Sequence, residues 1–250
     1  MSAVRTPRFF VPFDSEMLES ALEGGTPVEL PAEAANHAGR ALRMREGDEA
    51  TLFNGSGRQW FGPLHFEAKG ASVLLSGAEE PRTESPVAMT LIQGWVAPEK
   101  LDWIVEKAVE LGVSRLVLFP ARRSVTRLQG DRLEKRLRKY RDVAVSASEQ
   151  CGRNRILEIT SASSLKDALE SDESELKLLL APGAEERALV GPGLKSVAFV
   201  VGPEGGLDPE EIALGESLGW RPVLLGPRVL RTETAGLAAA CWINSIAGDF

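Results

Sequence analysis

Two short segments late in the chain could do chemistry with backbone groups alone: Val200-Val201-Gly202-Pro203-Glu204-Gly205-Gly206-Leu207 and Leu224-Leu225-Gly226-Pro227-Arg228-Val229-Leu230-Arg231-Thr232-Glu233-Thr234-Ala235. Each is an apolar run that ends in a glycine and proline turn and then opens a helix. Glycine tolerates positive φ and leaves amides and carbonyls bare, so a ligand can approach the main chain closely. In open α/β sheets, ligands collect at such carboxyl ends of strands. Together with the strand end Ala181-Pro182-Gly183 upstream, the two turns predict one shared pocket. Neither is a common nucleotide cradle, because the chain has no GxxxxGK[ST] loop and no GxGxxG opens the first helix of its α/β half. On glycine chemistry alone, a purely architectural turn stays open as the alternative.

Other reactive side chains are sparse. His37 and His65 are the only histidines and Cys151 and Cys241 the only cysteines, in no spacing that suits a metal, a disulfide framework or a nucleophile triad. No metal is expected. Cations, by contrast, are concentrated: residues 121–155 hold eleven Lys or Arg against four acids, in a chain whose net charge is -7. Such a segregated segment can neutralise phosphates even when the whole protein is acidic. A solvated, salt-bridged helix face would look the same by charge alone.

The elements that must position these groups change character along the chain. From 8 to about 77 the pattern is short strands (8–12, 27–30, 49–54, 59–67, 72–75) with Gly55-Ser56-Gly57 as a hairpin loop and one helix over 33–44, which predicts a small β-barrel in residues 1–78. The polar, proline-punctuated stretch 79–86 reads as a linker. Beyond it, in 87–250, strands (87–93, 115–119, 156–159, 176–180) alternate with helices (101–111, 131–150, 164–170), the signature of a helix-covered parallel sheet. Asp208-Pro209-Glu210-Glu211 reads as a capped helix start and Gly219 as its stop. The last helix, about 232–246, is rich in small residues and predicts close packing. A hydrophobic content of 43% argues against extensive disorder, and neither a signal peptide nor a membrane-length apolar stretch is seen, so a cytoplasmic protein is expected.

The paired turns and the 181–183 strand end resemble the S-adenosylmethionine site of the SPOUT methyltransferases. Glu106-Lys107-Ala108-Val109-Glu110-Leu111-Gly112-Val113, Arg122-Arg123-Ser124 and Ser148-Glu149-Gln150-Cys151-Gly152-Arg153 narrow the likeness, as do Pro7-Arg8-Phe9-Phe10 and Ala41-Leu42-Arg43-Met44-Arg45-Glu46-Gly47-Asp48. These look like the RsmE family of bacterial 16S ribosomal RNA methyltransferases, and the likeness is weakest over 160–195. The chain departs from it at Ala41, where valine is frequent, and at Leu157, where proline is common.

The resemblance implies an α/β fold: a C-terminal SPOUT-type domain with a deep trefoil knot, preceded by a PUA-like RNA-binding barrel. It implies methylation of N3 of one uridine near the decoding centre of 16S rRNA, in the small ribosomal subunit or its precursor, with S-adenosylmethionine as donor and a homodimer as the working form. Carried onto this sequence, the cofactor positions are Ala181, Gly202, Pro203, Glu204, Gly205, Gly206, Leu225, Gly226, Val229, Leu230 and Thr234. Deprotonating an imide nitrogen needs a base and a cation beside the uracil oxygens. Arg231 is expected to stabilise the uracilate, and Glu233 to take the proton or orient Arg231; both could instead brace the start of the last helix. RNA contacts are expected from Arg8, Arg40, Arg43, Arg122, Arg123, Arg127 and Arg153. The competing readings are a ribose 2'-hydroxyl methyltransferase, an RNA-binding module without catalysis, and a metabolite-binding α/β protein.

Overall fold

The computed structural model describes residues 6–68, 70–125, 128–186, 191, 193–247 and 250. The chain divides into two compact units: residues 1–84 with 148–156, and residues 85–147 with 157–250.

The first unit opens with β1 (Arg8–Phe10), α1 (Ser15–Gly24), β2 (Val28–Glu29) and α2 (Ala32–Asn36), and continues through β3 (Glu49–Phe53), β4 (Gln59–Glu67), β5 (Gly70–Val73) and β6 (Gly77–Glu79). The strands lie in the order β1-β3-β4-β5-β2, with β6 on β4. β4 changes partner along its length: its first half pairs with β3 and β6, its second with β5. Gly62 sits at the changeover, where a Cβ would strike the Leu74 carbonyl. Phe9, Leu18, Val28, Leu52, Trp60, Leu64 and Val73 fill the core.

Two local differences from the sequence reading have clear causes. α1 was not expected, yet the Asp14 side chain caps it by accepting from the Met17 amide at 2.7 Å and Gly25 ends it in the left-handed region at φ 61. The helix expected over 33–44 is α2 followed by a π-helical turn, His37–Ala41, and Arg43 stands at φ 55. A wide turn followed by a left-handed residue ends the helix before Met44, which is buried.

Residues 148–156, read from sequence as part of the second domain, belong to the first unit through a polar cluster. The Arg153 guanidinium, only 5% exposed, donates twice to Glu84 Oε2, at 2.8 and 3.0 Å. Arg8 donates to Gln59, to Asn154 and to the Arg153 carbonyl, and lies over the Phe53 ring. The stretch read as a linker therefore begins inside β6 and carries the acid that holds Arg153.

The second unit is a six-stranded, wholly parallel sheet in the order β12-β10-β11-β7-β8-β9. Its elements follow in the order β7 (Ala88–Gly94), α3 (Pro98–Glu110), β8 (Arg115–Phe119), α4 (Gly130–Cys151), β9 (Glu158–Ser161), α5 (Leu165–Glu170), β10 (Leu176–Leu180), β11 (Ser196–Val201), α6 (Pro209–Ser217), β12 (Arg221–Val223) and α7 (Thr232–Ala247), the last turn of α4, 148–151, being counted with the first unit. Successive strand residues point to opposite faces. Ile92, Val117, Ala198 and Val200 pack with Leu165, Leu169 and Trp220 on one face. Leu91 and Val201, of opposite parity, meet α7 at Gly236, where a Cβ would come within 3.2 Å of Leu91 Cδ1. The small residues of α7 thus permit the close approach the sequence predicts. α6 starts with the expected capping box between Asp208 and Glu211.

Candidate functional site

Because β12, β10, β11 and β7 are parallel neighbours, their carboxyl ends fall on one edge of the sheet, and the glycine turns follow from it. The Ala181 amide donates to Val223 O at 3.1 Å, and the Leu224 amide to Glu186 O at 2.8 Å, which ties the loops after β10 and β12 together. The turn after β11 closes on itself, the Gly206 amide donating to Pro203 O at 2.8 Å with Gly206 at φ 71. Gly202 admits no side chain: a Cβ would lie 2.6 Å from Leu207 N and 2.7 Å from Gly206 C. Gly94, ending β7, faces Pro203, whose Cδ would be 2.9 Å from a Cβ there.

A buried hydroxyl fastens this turn to the start of α7. Thr232 Oγ1 donates to Gly202 O at 2.6 Å and accepts from Gln93 Nε2 at 2.9 Å. The Gln93 amide also donates to Gly94 O at 3.0 Å. One polar knot therefore joins the end of β7, the turn after β11 and the residue between Arg231 and Glu233.

Among the described residues, two cavities take lining from these turns. A cleft of about 900 Å³ is lined by Ala181, Gly202, Gly205 and Gly206, together with Glu186 and Trp220. A second, of about 450 Å³, is lined by Leu225, Gly226 and Leu230 with Trp242. The chain lines the first as far as Pro222 and the second from Leu224 onward. Pro203, Glu204, Val229 and Thr234 line neither of these two cavities. Pro203 is buried, Glu204 turns to Lys100, and Val229 and Thr234 are exposed.

Charged groups surround the edge. The Arg231 side chain is 83% exposed, with NH1 3.9 Å from Glu233 Oε1, whereas Glu233 is largely buried. Lys100, in the first turn of α3, lies 3.1 Å from Glu204 Oε1 and 3.5 Å from Glu233 Oε2. A hydrogen bond from Lys100 to Glu204 holds the ammonium above the usual lysine range. Burial pushes the Glu204 carboxyl up, but hydrogen bonds from its own amide, Lys100 and the Ala97 amide outweigh it and hold the group below the usual carboxylate range. Arg123 donates to Gly205 O at 3.0 Å and to Asp208 Oδ2 at 3.2 Å, so it braces the same turn while half of it remains in solvent. Arg122 pairs with Glu210 at 2.6 Å.

Among the expected RNA-contacting arginines, Arg40, Arg43, Arg122 and Arg123 are exposed. Arg8, part-buried, donates to Gln59 and Asn154, and the buried Arg153 donates to Glu84, all inside the first unit. Arg127 lies outside the described residues. Sequence reading missed Lys100, Gln93 and the Thr232 hydroxyl. The helix was begun at 101, one residue too late to include Lys100, although Pro98 at its first turn is a start signal.

Residues 83–244, which include every turn of this edge, match the RNA methyltransferase domain family, and residues 30–63 match the RNA methyltransferase PUA domain family. In fold and site the molecule is thus an RNA-methyltransferase-type α/β domain with a PUA-type companion. A methyltransferase of Legionella pneumophila, solved with bound cofactor SAM, is similar at 32% identity and TM-score 0.89 over 99% of this chain and 100% of that one. Ribosomal RNA small subunit methyltransferase E of Neisseria gonorrhoeae, bound to S-adenosylmethionine, matches at 31% identity and TM-score 0.86 over 98% and 100%. The protein of that name from Mycobacterium bovis is 32% identical over 81% of this chain and 80% of its own. The chain belongs to the ribosomal RNA small subunit methyltransferase E family.

Proposed function

We propose that this protein transfers a methyl group from S-adenosylmethionine to N3 of one uridine in 16S ribosomal RNA. The observation that carries the reading is Gly202: no side chain fits at the end of β11, so the main chain there stays open toward a cleft of about 900 Å³, within the range of small-molecule sites. When bound, the cofactor supplies an electrophilic methyl on a sulfonium, and no metal is needed.

The residues of this chain supply the rest. Ala181, Gly202, Gly205 and Gly206 offer main-chain groups along the cleft, and Leu225, Gly226 and Leu230 extend the grip from the second cavity, with Pro203 stiffening the turn between them. Glu204, Val229 and Thr234, which line neither cavity, are assigned to the cofactor by the family likeness alone. The exposed Arg231 guanidinium reaches the uracil oxygens, where charge grows as N3 loses its proton. Glu233, beside it, orients that guanidinium or takes the proton. Exposed arginines at 40, 43, 122 and 123, with Arg127, hold phosphates. In this reading the chain from β10 to α7 is threaded as a deep trefoil knot, a second copy covers the turns in a homodimer, and the rRNA substrate places the protein in the cytoplasm.

The test is chemical. Small-subunit RNA from cells lacking the protein, incubated with purified protein and S-adenosylmethionine, is digested and analysed by mass spectrometry. One new N3-methyluridine is expected. A 2'-O-methylated nucleoside, or no methylation with no cofactor binding, overturns the reading in favour of a ribose methyltransferase or a binding module respectively.

A further inference from the structure

Three elements converge outside the two cavities on one lysine. Lys100 Nζ, from α3, stands 3.1 Å from Glu204 Oε1 in the turn after β11 and 3.5 Å from Glu233 Oε2 at the start of α7. The same Glu204 oxygen is 3.5 Å from the Ala97 amide, so the carboxylate also meets the N-terminus of the helix that carries Lys100. Glu233 is 19% exposed, and its Oε2 accepts no hydrogen bond among the described residues. Across its two oxygens it faces Lys100 on one side and Arg231 on the other, the latter at 3.9 Å.

We propose that Lys100 is a positioning residue for methyl transfer: by dividing its ammonium between Glu204 and Glu233 it ties the turn 202–206 to the Arg231 and Glu233 pair and holds the Glu233 carboxylate where it fixes the Arg231 guanidinium. This rests on the reading that Arg231 and Glu233 face the uracil. Lysine suits the task because a compact point charge can serve two carboxylates from different elements at once.

The test uses the full chain with S-adenosylmethionine and unmethylated small-subunit RNA, and compares K100M, K100R, E233Q and the double variant K100M/E233Q. In K100M, kcat at neutral pH is expected to fall about tenfold or more while the cofactor Kd stays within about twofold. K100R, which keeps the charge, recovers most of the rate and carries the test if K100M melts early. Because Lys100 acts on the rate through Glu233, the double variant is no slower than E233Q alone. Additive losses in the double variant, or a K100R rate no better than that of K100M, overturn the inference while leaving methyl transfer intact. A wild-type chain that neither binds the cofactor nor methylates overturns the functional reading, and this inference with it.

Discussion

The two units solve the problem of burying polar groups in opposite ways. The first buries a side-chain charge: Arg153 is enclosed against Glu84, with Asn154, Gln59 and the part-buried Arg8 drawn in from distant parts of the chain. The second buries backbone: at the end of β11 a glycine that tolerates no Cβ lets the turn fold onto itself, and a threonine hydroxyl and a glutamine amide donate to the carbonyl left inside. A charged side chain thus holds the first unit's polar cluster, and bare backbone shapes the second unit's turn.

Substitution at Gly202 should break the comparison most severely. Gly202→Ala forces a methyl group into the Gly206 and Leu207 backbone, costing about 3 kcal/mol or more, and calorimetry should find cofactor affinity reduced at least about 100-fold. Near-normal binding would mean the turn is not held by its main chain. Arg153→Met should come next, lowering stability in denaturant titration by about 2–4 kcal/mol, because the Glu84 carboxylate, 26% exposed, loses its cation. Its cofactor affinity should stay unchanged; weakened cofactor binding would erase the distinction between the units. Thr232→Val strips the hydroxyl that joins Gln93 to Gly202 O, and should cost about 1–3 kcal/mol with a rise in cofactor Kd.

The smallest effect sharpens the second unit's side of the contrast, where a phenol is buried on the apolar face of α4. Tyr140 is the sole tyrosine of the chain, and burial pushes its phenol up to about 12. The folded state thus prefers the neutral form, and its stability is retained below the ordinary value near 10 and lost as pH rises from there toward about 12. Tyrosinate absorbance should show one transition displaced well above 10. An ordinary transition in the folded protein would place that face in solvent.

Much of the second unit is legible in the sequence because its signals are local. Alternating apolar runs and amphipathic helices give a parallel sheet, Asp208 to Glu211 give a helix start, and glycine beside proline marks the strand ends. The first unit's strands and hairpin loop are legible for the same reason, while α1 was passed over despite Asp14 and Gly25 at its ends. What resisted reading depends on partners far away in the chain. Arg153 looks like a phosphate ligand until Glu84 is seen against it, Lys100 looks like an ordinary surface residue until Glu204 and Glu233 arrive, and the tie between the loops after β10 and β12 needs Leu224 to meet Glu186.

The return of residues 148–156 to the first unit also constrains the order of events during synthesis. The amino-terminal strands emerge from the ribosome first, yet the asparagine and arginine that complete their polar cluster follow only after two strands and two helices, β7 to α4, have been made. At roughly 5–20 residues per second, the nascent amino-terminal segment waits several seconds before Arg153 reaches Glu84. A shortened chain ending at residue 84 would lack Arg153 and Asn154 for good, so an excised version of this module has to carry 148–156 joined to it.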